Sequence, residues 1–317
     1  MNNKYAIGID VGGTTTKFGI VNEKGEIVVQ GRIPSNEHDF IEDFIHELYS
    51  KLQPMIKQVG GIENIVGIGM GAPNGNIYTG TIEYAPNLKW KGIIPMAELI
   101  TKKFGILARL TNDANAAAVG EMLFGCAKKI KHFITITLGT GVGSGIIIDG
   151  KIVVGHDGFA GELGHTIIRS GGRLHKSTGM RGSLESYASA TGVRETAIEL
   201  LTMYPDKESL LRNYTINDLT SETVYECAMQ GDPIANEIFE FTGQILGESL
   251  ANFVMFSSPE AIVLFGGLTK AGNLLLNPTR KHMEENLLPI FKNKVKLIFS
   301  ELKESDAAIL GASALVW

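Results

Sequence analysis

A cluster of ionisable side chains lies in the segment GELGHTIIRSGGRLHKSTGMRGSLES, which spans residues 161–186. Glu162 and His165 are three positions apart, so they share one face if this segment is helical. Glu185 follows close to the end of the segment. Carboxylates and imidazoles in such a cluster can bind a metal ion, transfer protons, or hold a polar ligand by hydrogen bonds.

Metal and hydrolase interpretations of this cluster each need a motif that the sequence lacks. A di-iron carboxylate site needs a second Glu-x-x-His pair on another long helix. A zinc hydrolase needs H-E-x-x-H, and a serine hydrolase needs a G-x-S-x-G elbow. The remaining interpretation is a hydrogen-bonding clamp for a polyol, because each sugar hydroxyl both donates and accepts a hydrogen bond.

Two further segments, rich in glycine and threonine, suggest a different chemistry. DVGGTTTK (residues 10–17) is a turn whose backbone N–H groups, hydroxyls and Lys17 suit a polyphosphate. TLGTGVGSG (residues 137–145) offers the same groups without the lysine. It is not a dinucleotide-binding fingerprint, because the chain continues as another strand where that motif opens a helix.

The elements that carry these turns form an internal repeat. Residues 7–21 and 134–148 both read as strand, glycine-threonine turn and strand, and each continues into a further hairpin signal and strand. Each half of the chain is therefore predicted to open with a β-meander. Helical and buried-strand patterns then alternate, including a long helix from about residue 231 and a small-residue helix at the end of the sequence.

Composition limits the class of protein. The chain has 317 residues, of which 44% are hydrophobic, and a net charge of −5, which argues against nucleic acid as the main partner. No apolar run approaches the roughly 20 residues of a membrane span, and no signal peptide is recognisable. Cys126 and Cys227 are expected to be free thiols in a reducing cytoplasm. The 38 glycines indicate many tight turns or close backbone approaches.

The motifs together resemble the ROK (repressor, open reading frame, kinase) family within the actin/hexokinase/Hsp70 ATPase superfamily. The resemblance extends from residue 7 to about residue 314 and rests on DVGGTTTKFGIV, GAPNGN, APNLKW, TNDANAAAVGE, TLGTGVGSG, GELGH and DAAILGASAL. It implies an α/β, two-lobed, actin-like ATPase (ribonuclease H-like) fold, in which a β-meander opens the mixed sheet of each lobe. A cleft would separate a small lobe (1–112) from a large lobe (113–304), with a helix at 305–317 packing on the small one.

The resemblance also implies roles for individual residues. Asp113 would be the general base, with the terminus of an alanine-rich helix keeping it ionised; Asn112 or Asp113 is also a good helix cap. The sugar would be bound by Asn87, Asn112, Asp113, Glu162, His165 and Glu185. ATP would be bound by Gly12, Gly13, Thr14, Thr15, Lys17, Thr140, Gly141, Gly266 and Gly267, and Asp10 would orient Mg²⁺ through water.

The sequence departs from the family pattern after GELGH. Many ROK proteins continue with C-x-C-G-x-x-G-C, which binds structural zinc together with the histidine. Here His175, Ser177 and Ser183 stand roughly where cysteines would. Serines are poor zinc ligands, and two histidines cannot complete a four-coordinate site. We therefore predict no structural zinc, and expect that Glu185 is positioned by other means, such as a short helix from Ser183.

The expected function is ATP-dependent phosphorylation of a hexose, glucose first, at the 6-hydroxyl. N-acetylglucosamine, N-acetylmannosamine or fructose are alternative substrates within the family. A transcriptional repressor is a rival, but such regulators carry a helix-turn-helix domain ahead of the Ile7 strand, and no such segment is in the sequence. A non-catalytic sugar sensor would not need Asp10, Lys17 and Asp113 together. The resemblance further implies a homodimer, and the two free thiols are expected of a cytoplasmic protein.

Overall fold

The computed structural model describes residues 4–317, apart from the side chain of residue 304. The strands are β1 (Tyr5–Val11), β2 (Thr15–Asn22), β3 (Ile27–Pro34), β4 (Ile65–Ala72), β5 (Gly75–Asn76), β6 (Thr81–Glu83), β7 (Ile93–Ile94), β8 (Ala108–Asn112), β9 (Phe133–Leu138), β10 (Val142–Ile148), β11 (Lys151–Ile152), β12 (Ala261–Phe265) and β13 (Lys296–Phe299).

The helices alternate with these strands, as the sequence predicts for an α/β protein. They are α1 (Ile41–Gln58), α2 (Met96–Phe104), α3 (Asp113–Leu123), α4 (Glu185–Ala188), α5 (Ala190–Met203), α6 (Ser221–Met229), α7 (Pro233–Ser257), α8 (Asn273–Glu285) and α9 (Glu304–Ser313). Short 3₁₀ turns are found at Ile62–Asn64, Leu163–His165, Leu210–Asn213, Gly267–Ala271 and Ala314–Val316. Among residues 4–317, no helix combines the length and the apolar character needed to cross a bilayer.

The two main sheets have the same strand order, which confirms the predicted repeat. The first sheet runs β3-β2-β1-β4-β8 and the second β11-β10-β9-β12-β13. In the first, β1 to β3 form the antiparallel meander, and β4 and β8 are parallel to β1. In the second, β12 pairs in parallel with both β9 and β13, and β10 and β11 form a hairpin. A small antiparallel sheet has the order β5-β6-β7.

The chain forms two compact units, and their limits differ from the predicted lobes. Unit 1 contains the chain up to Lys131 together with residues 145–161 and 300–317, and unit 2 contains residues 132–144 and 162–299. The main boundary thus lies about twenty residues after the predicted 112/113 division. Helix α3, which the sequence assigned to the second lobe, belongs to unit 1 because it packs on α9. A methyl group on Gly120 of α3 would lie 2.7 Å from the Cα of Gly311.

Helix α9 also packs closely on strands β1 and β4 of unit 1. A methyl group added to Gly8 of β1 would overlap the carbonyl oxygen of Ile309, and one added to Gly69 of β4 would overlap that of Ala312. Both glycines are therefore needed for close backbone approach rather than for a turn. Part of the glycine excess in the sequence has this origin.

Unit 2 is built around the long helix α7, which packs on α8 and α5. The predicted helix is confirmed, and its start has a clear cause. The Asp232 side chain accepts a 2.8 Å hydrogen bond from the Ala235 N–H, and Pro233 occupies the first turn, where its missing N–H costs nothing. Cys126 in unit 1 and Cys227 in unit 2 are both free thiols.

Candidate functional site

Asp10 lies near the end of β1, directly before the glycine-threonine turn of unit 1, and pairs with Lys17 of β2 in the strand register. Burial, followed by the negative charge of Asp113, raises the pKa of Asp10 to about 6, and the positive charge of Lys17 acts in the opposite direction. Three charged side chains of unit 1 therefore interact electrostatically at the end of β1. Such sites are where a phosphate or a cation binds favourably.

Asn112 and Asp113 lie at the start of helix α3 and make different contacts there. Asn112 caps helix α3, since its side-chain oxygen accepts a 2.8 Å hydrogen bond from the Asn115 N–H. Asp113 begins the helix and accepts a 2.8 Å hydrogen bond from the Ala114 N–H. The Asp113 side chain is accessible to solvent, but the protein around its carboxylate partly desolvates it and so raises the pKa of Asp113. This desolvation opposes the effect of the helix terminus, which favours the ionised carboxylate.

The backbone of Asn87 lies against the glycine-threonine turn of unit 1. A methyl group on Gly13 would come within 2.5 Å of the Asn87 carbonyl oxygen, and one on Gly12 within 2.7 Å of the Thr15 carbonyl oxygen. Both glycines are therefore required by close contacts. The turn leaves Thr14 exposed, while Thr15 opens strand β2. The structure brings Asn87, Asp10 and Lys17 to the same region of unit 1.

Glu162 and His165 share one face of a 3₁₀ turn in unit 2, Leu163–His165, rather than of an α-helix. His165 Nε2 lies 3.8 Å from Glu162 Oε2, and both side chains are partly accessible. The turn packs against the second glycine-rich loop, because a methyl group on Gly164 would overlap the carbonyl oxygen of Val142. His165 Nδ1 is buried and has no hydrogen-bond partner among residues 4–317.

Glu185 is held by the same loop. Its Oε2 accepts a 2.7 Å hydrogen bond from the Val142 N–H, and its Oε1 lies 2.8 Å from Nε2 of His175. A methyl group on Gly141 would overlap the Glu185 carboxylate. The short helix expected to start at Ser183 begins instead at Glu185, and the Ser183 hydroxyl pairs with that of Ser186 at 2.7 Å.

The loops predicted for ATP in unit 2 lie at one edge of its sheet. Thr140 and Gly141 follow β9, whereas Gly266 and Gly267 follow β12, and these two strands are parallel neighbours. Gly266 has φ of 105°, and a methyl group there would come within 2.6 Å of the Leu138 carbonyl oxygen. Only glycine fits this backbone position without strain.

A cavity of about 310 Å³ opens beside these residues within unit 2. Its walls include Thr140, Gly141, His175, Glu185, Ser189 and Thr191. Hydroxyls, an imidazole and a carboxylate thus converge on a space large enough for part of a small polar ligand.

The segment that carries structural zinc in many ROK proteins does not fit that metal here. His175 uses both ring nitrogens, since Nε2 faces Glu185 and Nδ1 lies 2.8 Å from the Thr178 hydroxyl. His165 Nδ1 remains available, but Ser183 is engaged by another serine. Among residues 4–317, no group of three or more His, Cys, Asp and Glu side chains has an arrangement that could hold a metal ion. The donors present cannot form a tetrahedral zinc site.

His175 and Arg173 both line the cavity in unit 2, and no motif in the sequence points to either as a site residue. The sequence places His175 only roughly where a zinc-binding cysteine stands in many ROK proteins. Both lie in an irregular loop and contact residues that follow it, so no periodic spacing in the sequence indicates these contacts. Most of the Arg173 side chain is buried against helix α5. An arginine in a loop is usually exposed, so the sequence gives no sign of this burial.

Comparison with known proteins places these features in a family. The model of the ROK family matches residues 6–317. A glucokinase of Halalkalibacterium halodurans is 34% identical over 100% of this chain and 96% of its own length. A xylose repressor of Caldicellulosiruptor bescii is 29% identical over 98% of this chain and 77% of its own length. The chain is thus similar both to enzymes and to regulators.

One solved structure extends the comparison to the fold. A glucokinase of the same family from Streptomyces griseus, crystallised with glucose and AMPPNP, matches with a TM-score of 0.80 and 29% identity. The match covers 98% of each chain. The predicted actin-like ATPase fold class, with a meander opening the sheet of each half, is confirmed.

Proposed function

The chain belongs to the ROK family, and we propose that it phosphorylates a hexose at its 6-hydroxyl with ATP, glucose being the first candidate. The protein is a sugar kinase, as its glucokinase relatives are. Glucose is favoured because the relatives named glucokinase come from several organisms and match nearly the whole chain. N-acetylglucosamine, N-acetylmannosamine and fructose are the alternative substrates.

The observation that carries this proposal is the charged group in unit 1. Asp10 and Asp113 both have raised pKa values, and Lys17 and a glycine-threonine turn adjoin Asp10. Phosphoryl transfer requires a carboxylate that accepts the proton of the attacking hydroxyl and a cationic turn that holds phosphates. A raised pKa brings Asp113 closer to the range in which a carboxylate is an effective base.

Asp113 is proposed to accept the proton of the sugar 6-hydroxyl as that oxygen attacks the γ-phosphorus of ATP. The bond between the γ-phosphorus and the bridging oxygen breaks, and ADP leaves. Thr14, Thr15, Lys17, Thr140 and Gly141 are proposed to hold the phosphates through N–H groups, hydroxyls and the Lys17 ammonium.

Asp10 is proposed to hold Mg²⁺ through water. The donor chemistry fits, because carboxylate oxygens are the ligands that Mg²⁺ prefers. Burial and then the charge of Asp113 raise the pKa of Asp10, and a nearby cation would favour its ionised form. Mg²⁺ bound with ATP neutralises charge that develops on the phosphates.

The residues proposed to contact the sugar are Asn87, Asn112, Asp113, Glu162, His165 and Glu185. Support comes from the fixed orientation of several of these groups: Asn112 caps a helix, and Glu185 is bonded to Val142 and His175. Gly266 and Gly267 are proposed to approach the adenosine. The homodimer and the cytoplasmic location remain predictions.

The rival proposal is a sugar-responsive regulator, since repressors are among the relatives. A sensor needs the sugar clamp but neither a base nor a phosphate turn. The electrostatic interaction of Asp10 with both Asp113 and Lys17 favours the kinase.

The experiment that decides is a measurement of ADP release with ATP and Mg²⁺ in the presence of glucose, N-acetylglucosamine, N-acetylmannosamine, mannose or fructose. We expect sugar-dependent release that is fastest with glucose, and NMR of the product should show the phosphate on the 6-oxygen. Reactions without sugar are the control for ATP hydrolysis. Absence of sugar-dependent release with all five sugars would contradict the proposal.

A further inference from the structure

The loop that precedes helix α4 in unit 2 makes a set of contacts that the kinase reaction does not itself require. It runs from Ile167 to Ser183 and folds back on itself, with bridges between Ile167 and Ser183 and between Leu174 and Arg181. His175 lies at its turn. The His175 N–H donates to the Met180 carbonyl at 2.8 Å, and the Gly179 N–H donates to the His175 carbonyl at 2.9 Å. The backbone of His175 is therefore fixed.

The His175 ring is fixed as well. Nδ1 lies 2.8 Å from the Thr178 hydroxyl and 3.3 Å from that of Ser177, while Nε2 lies 2.8 Å from Glu185 Oε1. A hydroxyl partner on one ring nitrogen orients the ring and determines which nitrogen faces the carboxylate. The ring is mostly buried, with 18% of its side chain exposed.

Glu185 depends on this ring for half of its contacts. Its other oxygen accepts the Val142 N–H at 2.7 Å, and only 13% of its side chain is exposed. A carboxylate buried to this degree keeps one orientation only while both oxygens have partners, because an unpaired buried oxygen costs free energy. Because Gly141 has no side chain, the Glu185 carboxylate can lie directly against its backbone.

Arg173 anchors the loop two residues before His175. Its guanidinium uses all five N–H donors: to both carboxylate oxygens of Glu199 at 2.8 and 2.6 Å, to the carbonyls of Ser186 and Gly192 at 2.7 and 3.0 Å, and to the Thr196 hydroxyl at 2.9 Å. These acceptors belong to helices α4 and α5, so Arg173 ties the loop to both.

Tyr187 completes the anchor. Its hydroxyl accepts the Arg173 backbone N–H at 2.8 Å, and its ring lies 4.6 Å below the guanidinium carbon. The Arg173 side chain is 9% exposed. A saturated, buried guanidinium of this kind cannot be replaced by lysine, which lacks the planar fork.

We propose that His175 is a positioning residue for Glu185 and that Arg173 anchors the loop that presents it, so that this carboxylate is oriented by hydrogen bonds without a metal ion. The inference rests on the proposed function in one respect, namely that Glu185 binds the sugar. The part that concerns structure does not depend on catalysis. The loop thus keeps its shape through side-chain hydrogen bonds at the place where the resemblance implies a structural zinc in cysteine-containing members of the family.

The kinetic test compares His175→Ala with His175→Gln. Loss of the ring should raise KM for the sugar about tenfold, the scale expected when one partner of a buried charged group is removed, and leave KM for ATP within about twofold. Glutamine places an amide N–H near the position of Nε2, so His175→Gln should recover most of the loss. An unchanged sugar KM in His175→Ala, or a glutamine variant as impaired as the alanine one, would overturn the proposal.

His282→Ala is the matched control. His282 of helix α8 also contacts carboxylates of unit 2, those of Glu240 and Glu285, and its side chain is 15% exposed. It has no assigned role in the reaction, so its removal should leave the sugar KM unchanged. If His282→Ala raised the sugar KM as much as His175→Ala does, loss of any histidine–carboxylate pair in unit 2 would be enough to weaken sugar binding. That result would contradict a positioning role for His175.

Two measurements remain decisive if the wild-type protein phosphorylates no sugar. The first is a thermal-unfolding cycle of His175→Ala, Glu185→Gln and the double variant: coupled losses, smaller in the double variant than the sum of the two, are expected, and additive losses would overturn the proposal. The second is metal analysis of protein purified without chelator. No stoichiometric zinc and no effect of EDTA on Tm are expected; one zinc per chain whose removal lowers Tm would overturn it.

Discussion

Asp10 and Asp113 are electrostatically coupled within unit 1. Burial is the larger cause and the negative charge of Asp113 the second, and together they raise the pKa of Asp10 to about 6. Lys17, which pairs with Asp10 across the two strands, acts in the opposite direction. A buried carboxylate whose ionisation is further disfavoured by a second negative charge costs stability in the unliganded protein. The same two negative charges attract a cation. The loss of stability therefore occurs at the residue that is proposed to hold Mg²⁺.

The first prediction concerns stability. Because the folded-state pKa of Asp10 is raised, its stabilising contribution is present below the unfolded-state pKa, near 3.8, and is lost as the pH rises through about 6. Asp10→Asn should therefore raise the free energy of unfolding near neutral pH by up to about 3 kcal/mol. Thermal unfolding at several pH values should show that this gain shrinks towards pH 5. The same variant should show slower sugar-dependent ADP release than the wild-type protein.

Asp39→Asn is the control for that prediction. Asp39 lies on the surface of unit 1, and a hydrogen bond and the charge of Lys89 lower its pKa. Its neutralisation should give no gain in Tm near neutral pH. Absence of a gain in Asp10→Asn as well would contradict the raised pKa of Asp10 in the folded protein.

A second prediction concerns the loop beneath Glu185. Gly141→Ala adds a methyl group that overlaps the Glu185 carboxylate, so the variant should bind sugar more weakly in calorimetry without nucleotide, by about tenfold. Gly139→Ala is the matched control, because a methyl group there meets nothing within 4 Å and should leave sugar affinity unchanged. Equal affinities of the two variants would argue that Glu185 does not contact the sugar.

A third prediction concerns the contact of helix α9 with strand β4. Gly69→Ala forces a methyl group into the Ala312 carbonyl oxygen, and overpacking against backbone costs about 1–3 kcal/mol or more. Tm should fall by several degrees. Gly71→Ala on the same strand meets the Ala116 methyl group at 3.3 Å and should have a smaller effect. A fall in Tm for Gly71→Ala that exceeds that for Gly69→Ala would contradict the close packing of α9.

The sequence was sufficient for the repeat and for local features. Two copies of a strand-turn-strand pattern predicted the meanders, and the start of the alanine-rich helix predicted a cap at Asn112 or Asp113; the structure assigns it to Asn112. The three-residue spacing of Glu162 and His165 correctly predicted a shared face, although the turn is 3₁₀ rather than α-helical. These features depend on neighbours in the chain.

Features that depend on distant neighbours could not be predicted in the same way. Gly8 and Gly69 are required by a helix more than 230 residues away, and this helix also draws α3 into unit 1, against the predicted boundary. His175 faces Glu185 because a loop folds back through bonds to Arg173, and no periodicity encodes that geometry. The direction of the Asp113 pKa also needed the structure, since burial outweighs the hydrogen bonds at the helix start.

The most direct test of the central claim is sugar-dependent ADP release by the wild-type protein and by Asp113→Asn, with sugar affinity measured in parallel. Removal of a general base typically lowers kcat by about 10²–10⁴-fold, whereas an asparagine of the same size should keep sugar binding within a few-fold. We predict that release falls by this factor while sugar affinity persists. An Asp113→Asn variant that turns over at the wild-type rate would contradict the assignment of Asp113 as the base.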